Sequence, residues 1–203
     1  MTERTRHERL VGGGDARVTR PLLIDGLIDP SACERVCRAM DAGTPEIAEI
    51  LDATIAPDDT VRRSAHVDVD EETFAWLDRV LDASRGRMEE HFGTTLTRRE
   101  GISLLRYPPG GFFRPHRDWG VVPSWPDAAR RRISLVLFLR TSREADPAGT
   151  FSGGALRLYD DEGGGVHDIH PRAGTLVAFL STTLHEVTPI TDGVRDALVD
   201  WFY

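Results

Sequence analysis

The spacing of apolar and polar positions changes once along the 203-residue chain, near residue 100. Upstream of that point the pattern is mainly helical. "PLLIDGLID" (21–29) predicts a short strand and turn, and Asp29-Pro30-Ser31 starts a helix through "ACERVCRAMD", with an acidic cap and a proline near its first position. "PEIAEILDA" (45–53) predicts a second, shorter helix, and "VRRSAHVDV" (61–69) alternates as a strand. "DEETFAWLDRVLDASRGRMEEHFG" (70–93) predicts one long amphipathic helix with Phe74, Leu77, Leu81 and Met88 on its apolar stripe, ended by Gly93.

From residue 101 the period becomes two. "ISLLRY", "GFFRPH", "RISLVLFLR", "GALRLY", "GVHDIH", "GTLVAFL", "LHEVTPI" and "RDALVDWFY" are eight short segments separated by Gly, Pro and Asp. That number of short strands with such turns predicts the two sheets of a sandwich or barrel, and a jelly roll fits it best. Helices first and strands afterwards places the helices on one outer face of the roll. The expected architecture is mostly β with flanking α, a double-stranded β-helix (jelly roll) with N-terminal helices packed on one face. Its expected organisation is a flexible tail over 1–20 and a single domain over 21–203, with helical support at 21–99 and the jelly-roll core at 100–203.

Composition narrows the function classes. The chain is 40% hydrophobic, enough for one well-filled domain, and has no run of about 18 apolar residues for a transmembrane helix. A net charge of −8 argues against general nucleic-acid binding. "MTERTRHERLVGGGDARVTR" lacks an apolar stretch and reads as neither a secretory signal nor an anchor. Cys33 and Cys37, four apart on the first predicted helix, fit core positions better than a disulfide or a zinc site, and the expected compartment is the cytoplasm. All 25 basic residues are arginine. Eight of them fall between Arg98 and Arg132 against Glu100, Asp118 and Asp127, a local reversal of the overall sign.

That basic stretch contains "FRPHRDWG" (113–120), with His116 and Asp118 two residues apart. In a strand, positions i and i+2 share a face, so one imidazole and one carboxylate are delivered side by side. Taken alone, such a pair also suits a solvated surface strand. His185, in "STTLHEVTPI", lies 67 positions beyond Asp118, far enough for several strands to return to the same mouth of a roll. Two histidines and one carboxylate on one face of an octahedron form the facial triad of non-haem Fe(II) oxygenases, leaving three positions open. Zinc is less favoured, because catalytic zinc sites more often come with a helix motif and a nearby general base. Arg195 sits in the last apolar strand and needs an anionic partner there, either a carboxylate of this protein or a bound one.

Taken together, "YPPGGFFRPHRD", "RRISLVLFL", "SGGALRLY", "IHPRAGTLVAF", "LHEVTPITDGVR" and the final Trp resemble the prolyl 4-hydroxylase-like branch of the 2-oxoglutarate- and Fe(II)-dependent dioxygenases over about residues 100–203. The resemblance implies that His116, Asp118 and His185 bind iron, and that Arg195 grips the distal carboxylate of 2-oxoglutarate. It also implies that Tyr107 lies beside the cosubstrate, that Trp201 is the aromatic of the last strand, and that Gly153 and Gly154 are the paired glycines of a tight turn. Phe113 and Phe138 stand where many relatives have tyrosine, so Arg195 and Ser134 are expected to carry more of the cosubstrate binding. The presence of Asp118 argues against the halogenase variant, which needs a vacant ligand position.

The cofactors so implied are Fe(II), 2-oxoglutarate and O2, with ascorbate a candidate reductant. The activity implied is hydroxylation of an unactivated C–H in an amino acid, small metabolite or peptidyl side chain, with release of succinate and CO2. Desaturation or cyclisation by the same enzyme class, or metal and ligand binding without turnover, are the alternatives. No nucleic-acid or membrane partner is expected. Strand parity puts Arg114 on the face of His116 and Asp118 and turns Arg117 away unless the strand has already broken, so Arg114, Arg117 and Trp119 are candidate contacts for an anionic substrate. "WGVVPSWPDAARRR" (119–132), with Trp119 and Trp125, reads as a lid or substrate clamp.

Overall fold

Six consecutive residues, Ile133–Phe138, are all buried, so this strand must be covered on both faces. In the computed structural model, which describes residues 20–47, 60–123, 125–160 and 164–203, it lies third in a sheet of seven. The order there is β1 (Leu22–Ile24), β11 (Leu176–Leu180), β7 (Ile133–Phe138), β14 (Arg195–Phe202), β5 (Ser103–Tyr107), β4 (Ala65–Val67) and β2 (Pro45–Ile47). A second sheet of five strands runs β10 (Val166–Ile169), β9 (Leu156–Tyr159), β12 (His185–Val187), β6 (Phe112–His116) and β3 (Arg62–Arg63). β8 (Ser152–Gly153) and β13 (Ile190–Asp192) pair antiparallel in a separate short ladder.

Alternation along β7 assigns the two coverings. Ile133, Leu135 and Leu137 pack with Cys33, Val36 and Met40 of α1 (Pro30–Ala42), Leu77 and Leu81 of α2 (Glu71–Ala83) and Met88 of α3 (Arg85–Phe92). Val136 and Phe138 point the other way, into a cluster with Leu156, Leu158, Val177 and Phe179 between the sheets. The helices therefore shield one face of the larger sheet, and the smaller sheet closes over the other. Cys33 and Cys37 are both buried, and burial pushes their thiols up to about 11 and about 12, as core positions require.

Local chemistry explains where the elements start and stop. Asp29 caps α1 by accepting from the Ala32 amide at 2.8 Å, and Asp70 caps α2 through the Thr73 amide at 2.8 Å. The expected single helix over 70–93 is broken at Ser84, whose hydroxyl donates to the Leu81 carbonyl at 2.6 Å and turns the chain into α3. Gly93 then ends α3 at φ +59°. Phe74, placed on the apolar stripe by periodicity, is 43% exposed, and Trp76 and Val80 pack against the core from the neighbouring positions.

Three further expectations are corrected. The segment from Pro45 begins as a strand rather than a helix: Pro45–Ile47 pairs with Val67–Ala65 at the sheet edge, where a missing amide is tolerated, and the remainder (48–53) lies outside the described residues. The expected strand at 61–69 is two strands, β3 pairing with β6 and β4 with β5, so the chain crosses between sheets at Ser64. Because β1, β2 and β4 join the larger sheet and β3 the smaller, the described residues before 100 supply strands to the roll as well as helices beside it. The expected tail, as far as residue 19, also lies outside the described residues.

The acids of β14 complete the helix-facing side. Asp196 takes Nε of Arg106 at 2.8 Å and Nε of Arg140 at 2.7 Å. Asp200, fully buried, accepts from the Gly101 amide at 3.0 Å, the Trp201 amide at 2.7 Å and the Arg99 guanidinium, which also pairs with Asp78 of α2. Removing one partner of such a pair strands the other's charge. Asp200→Ala is therefore expected to destabilise the fold by about 3 kcal/mol, the low end for a broken buried pair because Arg99 keeps Asp78. Urea unfolding measures this, and a loss below about 1 kcal/mol would show the pair to be effectively solvated.

Candidate active site

Strands β6 and β12 pair antiparallel with His116 directly opposite His185, and then slip so that Val187 faces Phe113. Two residues of β12 thus span three of β6, a bulge at Arg114-Pro115 that puts Phe113 and His116 on the same side of the sheet. Phe113 stacks on His116 at 3.6 Å between ring centroids, and Phe179 meets His185 edge-on at 4.7 Å. Each imidazole is aimed by its own backbone: Nδ1 of His116 lies 2.8 Å from the Arg114 carbonyl, and Nδ1 of His185 3.0 Å from the Thr183 carbonyl. Protons on those nitrogens leave both Nε2 lone pairs free.

Asp118 follows β6 and closes the group. Its Oδ1 lies 3.6 Å from Nε2 of His116 and its Oδ2 3.5 Å from Nε2 of His185, and one ligand atom from each residue lies within 4.8 Å of the others. The Ser134 hydroxyl donates to Asp118 Oδ2 at 2.6 Å, and the Ser181 hydroxyl lies 3.0 Å behind it. Burial alone would raise the Asp118 pKa, but His185, His116 and Ser134 outweigh burial and hold it well below the usual carboxylate range. Burial, followed by the neighbouring His116, pushes His185 down to about 4. At neutral pH the group therefore presents one carboxylate and an unprotonated His185 imidazole. A hard carboxylate with two imidazoles suits a divalent first-row metal, and the open side faces the cavity between the sheets.

Arg195, at the start of β14, is 2% exposed and reaches into that same cavity. Its Nε donates to the Gly154 carbonyl at 3.0 Å, and its guanidinium lies 5.0 Å over Tyr107 and 5.5 Å over Phe138. Among the described residues no carboxylate lies within ion-pair distance of it. Gly154, at φ +64°, makes room: a Cβ there would come within 2.9 Å of Arg195 Cδ. Tyr107 shares the cavity wall, whereas the Ser134 hydroxyl is turned to Asp118 and Ser181.

The basic stretch divides sharply. Arg98, Arg99, Arg106, Arg130 and Arg131 are ion-paired to acids of the chain itself. Arg132 donates to the Thr95 carbonyl at 3.1 Å. The bulge overturns the parity argument for Arg114, which lies over Phe112 and donates to the Thr60 carbonyl, away from the cavity. Arg117, past the end of the strand, donates to the Thr182 carbonyl and lines the outer groove beside His116. Trp119 and Trp125 line the same groove, each indole N–H anchored: Trp119 to the Ala129 carbonyl at 3.0 Å, Trp125 to Glu100 at 3.1 Å. Arg62 was not marked by any sequence pattern, yet it lies 4.7 Å over Phe113 and borders both the inner cavity and the groove.

A jelly roll with two histidines and a carboxylate at its mouth and a buried arginine behind them is the arrangement of 2-oxoglutarate-dependent iron oxygenases. The family model of the 2OG-Fe(II) oxygenase superfamily matches residues 102–203, and the chain belongs to that superfamily. Membership implies Fe(II), 2-oxoglutarate and O2 as its cofactors. A PKHD-type hydroxylase of Cupriavidus metallidurans is 40% identical over 98 residues, 47% of this chain and 40% of that protein. One of Klebsiella pneumoniae is 35% identical over 145 residues, 70% of this chain and 60% of the relative. The chain thus spans about half the length of these curated relatives. A Pseudomonas putida prolyl-4-hydroxylase superposes with a TM-score of 0.66 at 26% identity, over 91% of this chain and 92% of that one. The prolyl hydroxylase of Trichoplax adhaerens, solved with a hypoxia-inducible-factor peptide fragment, shares the fold with a TM-score of 0.72 at 20% identity, over 92% and 84% of the two chains.

The depressed His185 pKa carries a consequence for stability. Because the folded value of about 4 lies below the ordinary 6.5, the unfolded chain binds the extra proton first on acidification. The stabilisation is complete above about pH 6.5 and is lost as pH falls towards 4. Denaturant midpoints of the metal-free protein should fall across that window, and His185→Gln should flatten the fall. Parallel profiles for the two proteins would show that other groups govern it.

Proposed function

We propose that the chain is a 2-oxoglutarate- and Fe(II)-dependent dioxygenase that hydroxylates an unactivated C–H of an amino acid, small metabolite or peptidyl side chain. His116, Asp118 and His185 hold the iron, Arg195 binds the distal carboxylate of 2-oxoglutarate, and Tyr107 lies beside it. The observation that carries this reading is the buried Arg195, with no carboxylate partner among the described residues, in the cavity that the three candidate ligands also face. A cation with no protein counter-ion in an apolar cavity is costly unless the missing anion is a ligand. When bound, iron and 2-oxoglutarate supply an oxidant strong enough for C–H bonds by coupling oxidative decarboxylation to reduction of O2.

The residues of the chain do the rest. Ser134 holds Asp118 by one oxygen, the carbonyls of Arg114 and Thr183 hold the imidazoles, and the walls of Phe113, Val187 and Val199 limit water around the cosubstrate. The substrate enters by the outer groove of about 630 Å³, within the range of small-molecule sites, past Trp119 and Arg117. Of the two arginines proposed from sequence to meet an anionic substrate, Arg117 alone lines that groove.

Anaerobic titration with Fe(II) and 2-oxoglutarate tests the core of the reading. Alanine at His116, Asp118 or His185 should abolish or greatly weaken metal binding while the fold survives, since these side chains line the cavity and lie outside the hydrophobic clusters. Arg195→Leu should leave metal binding nearly intact and weaken 2-oxoglutarate by roughly two to four orders of magnitude, about 3–5 kcal/mol. Unchanged cosubstrate affinity in that variant would reduce Arg195 to a structural residue.

For the substrate, Arg117→Gln should raise KM for an anionic substrate with 2-oxoglutarate affinity unchanged. An unaltered KM would remove Arg117 from recognition.

A further inference from the structure

Glu100 lies between the last strand and the groove, and its carboxylate is fully occupied. It accepts Nε of Arg131 at 2.6 Å and a second bond from the same guanidinium, Nε1 of Trp125 at 3.1 Å, and the Tyr203 hydroxyl at 2.9 Å. Four donors use all the acceptor positions of a carboxylate. Arg131, 3% exposed, has its guanidinium carbon 3.7 Å from the Trp201 ring centroid, and its remaining arm donates to the backbone carbonyl of Asp118 at 3.3 Å. Glu100, Arg131, Trp125 and Trp201 all border the outer groove that also reaches Asp118.

One bonded chain therefore runs from an indole on the groove wall, through a bidentate ion pair, to the main chain of a candidate metal ligand. We propose that Glu100 and Arg131 form a positioning pair that couples the Trp125 wall of the substrate groove to the metal centre through the Asp118 peptide. This rests on the metal centre proposed above. Arg131 touches neither the candidate ligand atoms nor the inner cavity. Its action is indirect, by fixing the Asp118 carbonyl on one side while Ser134 fixes the carboxylate on the other. The planar fork is needed, because one lysine ammonium cannot serve both Glu100 oxygens, the Asp118 carbonyl and the face of Trp201 together. Hydrogen-bonded partners of metal ligands typically contribute 10- to 100-fold in metal affinity.

The test uses the full chain labelled with 5-fluorotryptophan and Zn(II) as a diamagnetic probe, with the Trp125 resonance assigned by Trp125→Phe. In the wild type, Zn(II) should shift the Trp125 signal. Arg131→Lys should lower Zn(II) affinity roughly tenfold and abolish that shift. Glu100→Gln, which keeps the shape but puts an amide against its donors, should do the same, so the outcome does not depend on either variant alone folding. Trp125→Phe should keep wild-type Zn(II) affinity, since the Arg131 to Asp118 link is intact. A wild type that binds Zn(II) with no response at Trp125, or an Arg131→Lys variant of unchanged affinity, overturns the coupling and leaves the metal centre standing. A wild type that binds no Zn(II), or His116→Ala that binds it equally, overturns the metal centre and this inference with it.

Discussion

The pairing of β6 with β12 is the constraint on which the site depends. His116 and His185 are neighbours because the ladder puts them opposite one another, and both face inward because a bulge at Arg114-Pro115 resets the alternation before His116. A one-residue slip would send one imidazole to solvent, since side chains alternate strictly along a strand. The aromatic shell gives that register an energetic basis. Phe113 stacks on one ring and Phe179 meets the other edge-on, so the slip would also expose buried apolar surface.

The same roll separates two treatments of buried charge. On the helix side of the larger sheet, Asp196 and Asp200 are met by Arg106, Arg140 and Arg99, and the charges cancel locally. On the inner side, one residue earlier in the same strand, Arg195 donates to a carbonyl and lies over two aromatic faces, with no carboxylate in ion-pair distance among the described residues. The contrast lies in one strand, between adjacent residues on opposite faces. Complementing Arg195 with a protein carboxylate would stabilise the fold more simply, and its absence is intelligible if the counter-ion arrives as a ligand.

Much of this was legible in the chain. The shift of period near residue 100 marked where the run of jelly-roll strands begins, although β1 to β4 precede it. The spacing of His116 and Asp118, with the later His185 and Arg195, identified side chains that the fold does bring to one cavity. What escaped was non-local. No local pattern shows a bulge, which is defined by the partner strand, and it reversed the expected facing of Arg114. The edge position that makes Pro45–Ile47 a strand is likewise set by β4, twenty residues on. Ser84 could have been suspected as a helix break, since a hydroxyl that bonds back to a carbonyl competes with the helical ladder.

The basic stretch shows most clearly why charge counting misleads. Eight arginines in thirty-five positions look like a surface for anions, yet five pair with acids of the chain itself, four of them distant in sequence, such as Arg99 with Asp200 and Arg106 with Asp196. Partners a hundred positions away are invisible in a window of ten. Beside those pairs, several arginines border the cavity and groove in different settings. Arg195 stands behind the candidate metal ligands, Arg131 is locked to Glu100, and Arg62 and Arg117 border the groove. Under the proposed function, 2-oxoglutarate is held by the deep Arg195 and the substrate by the outer groove that Arg117 lines. Such a division lets each affinity change without altering the other.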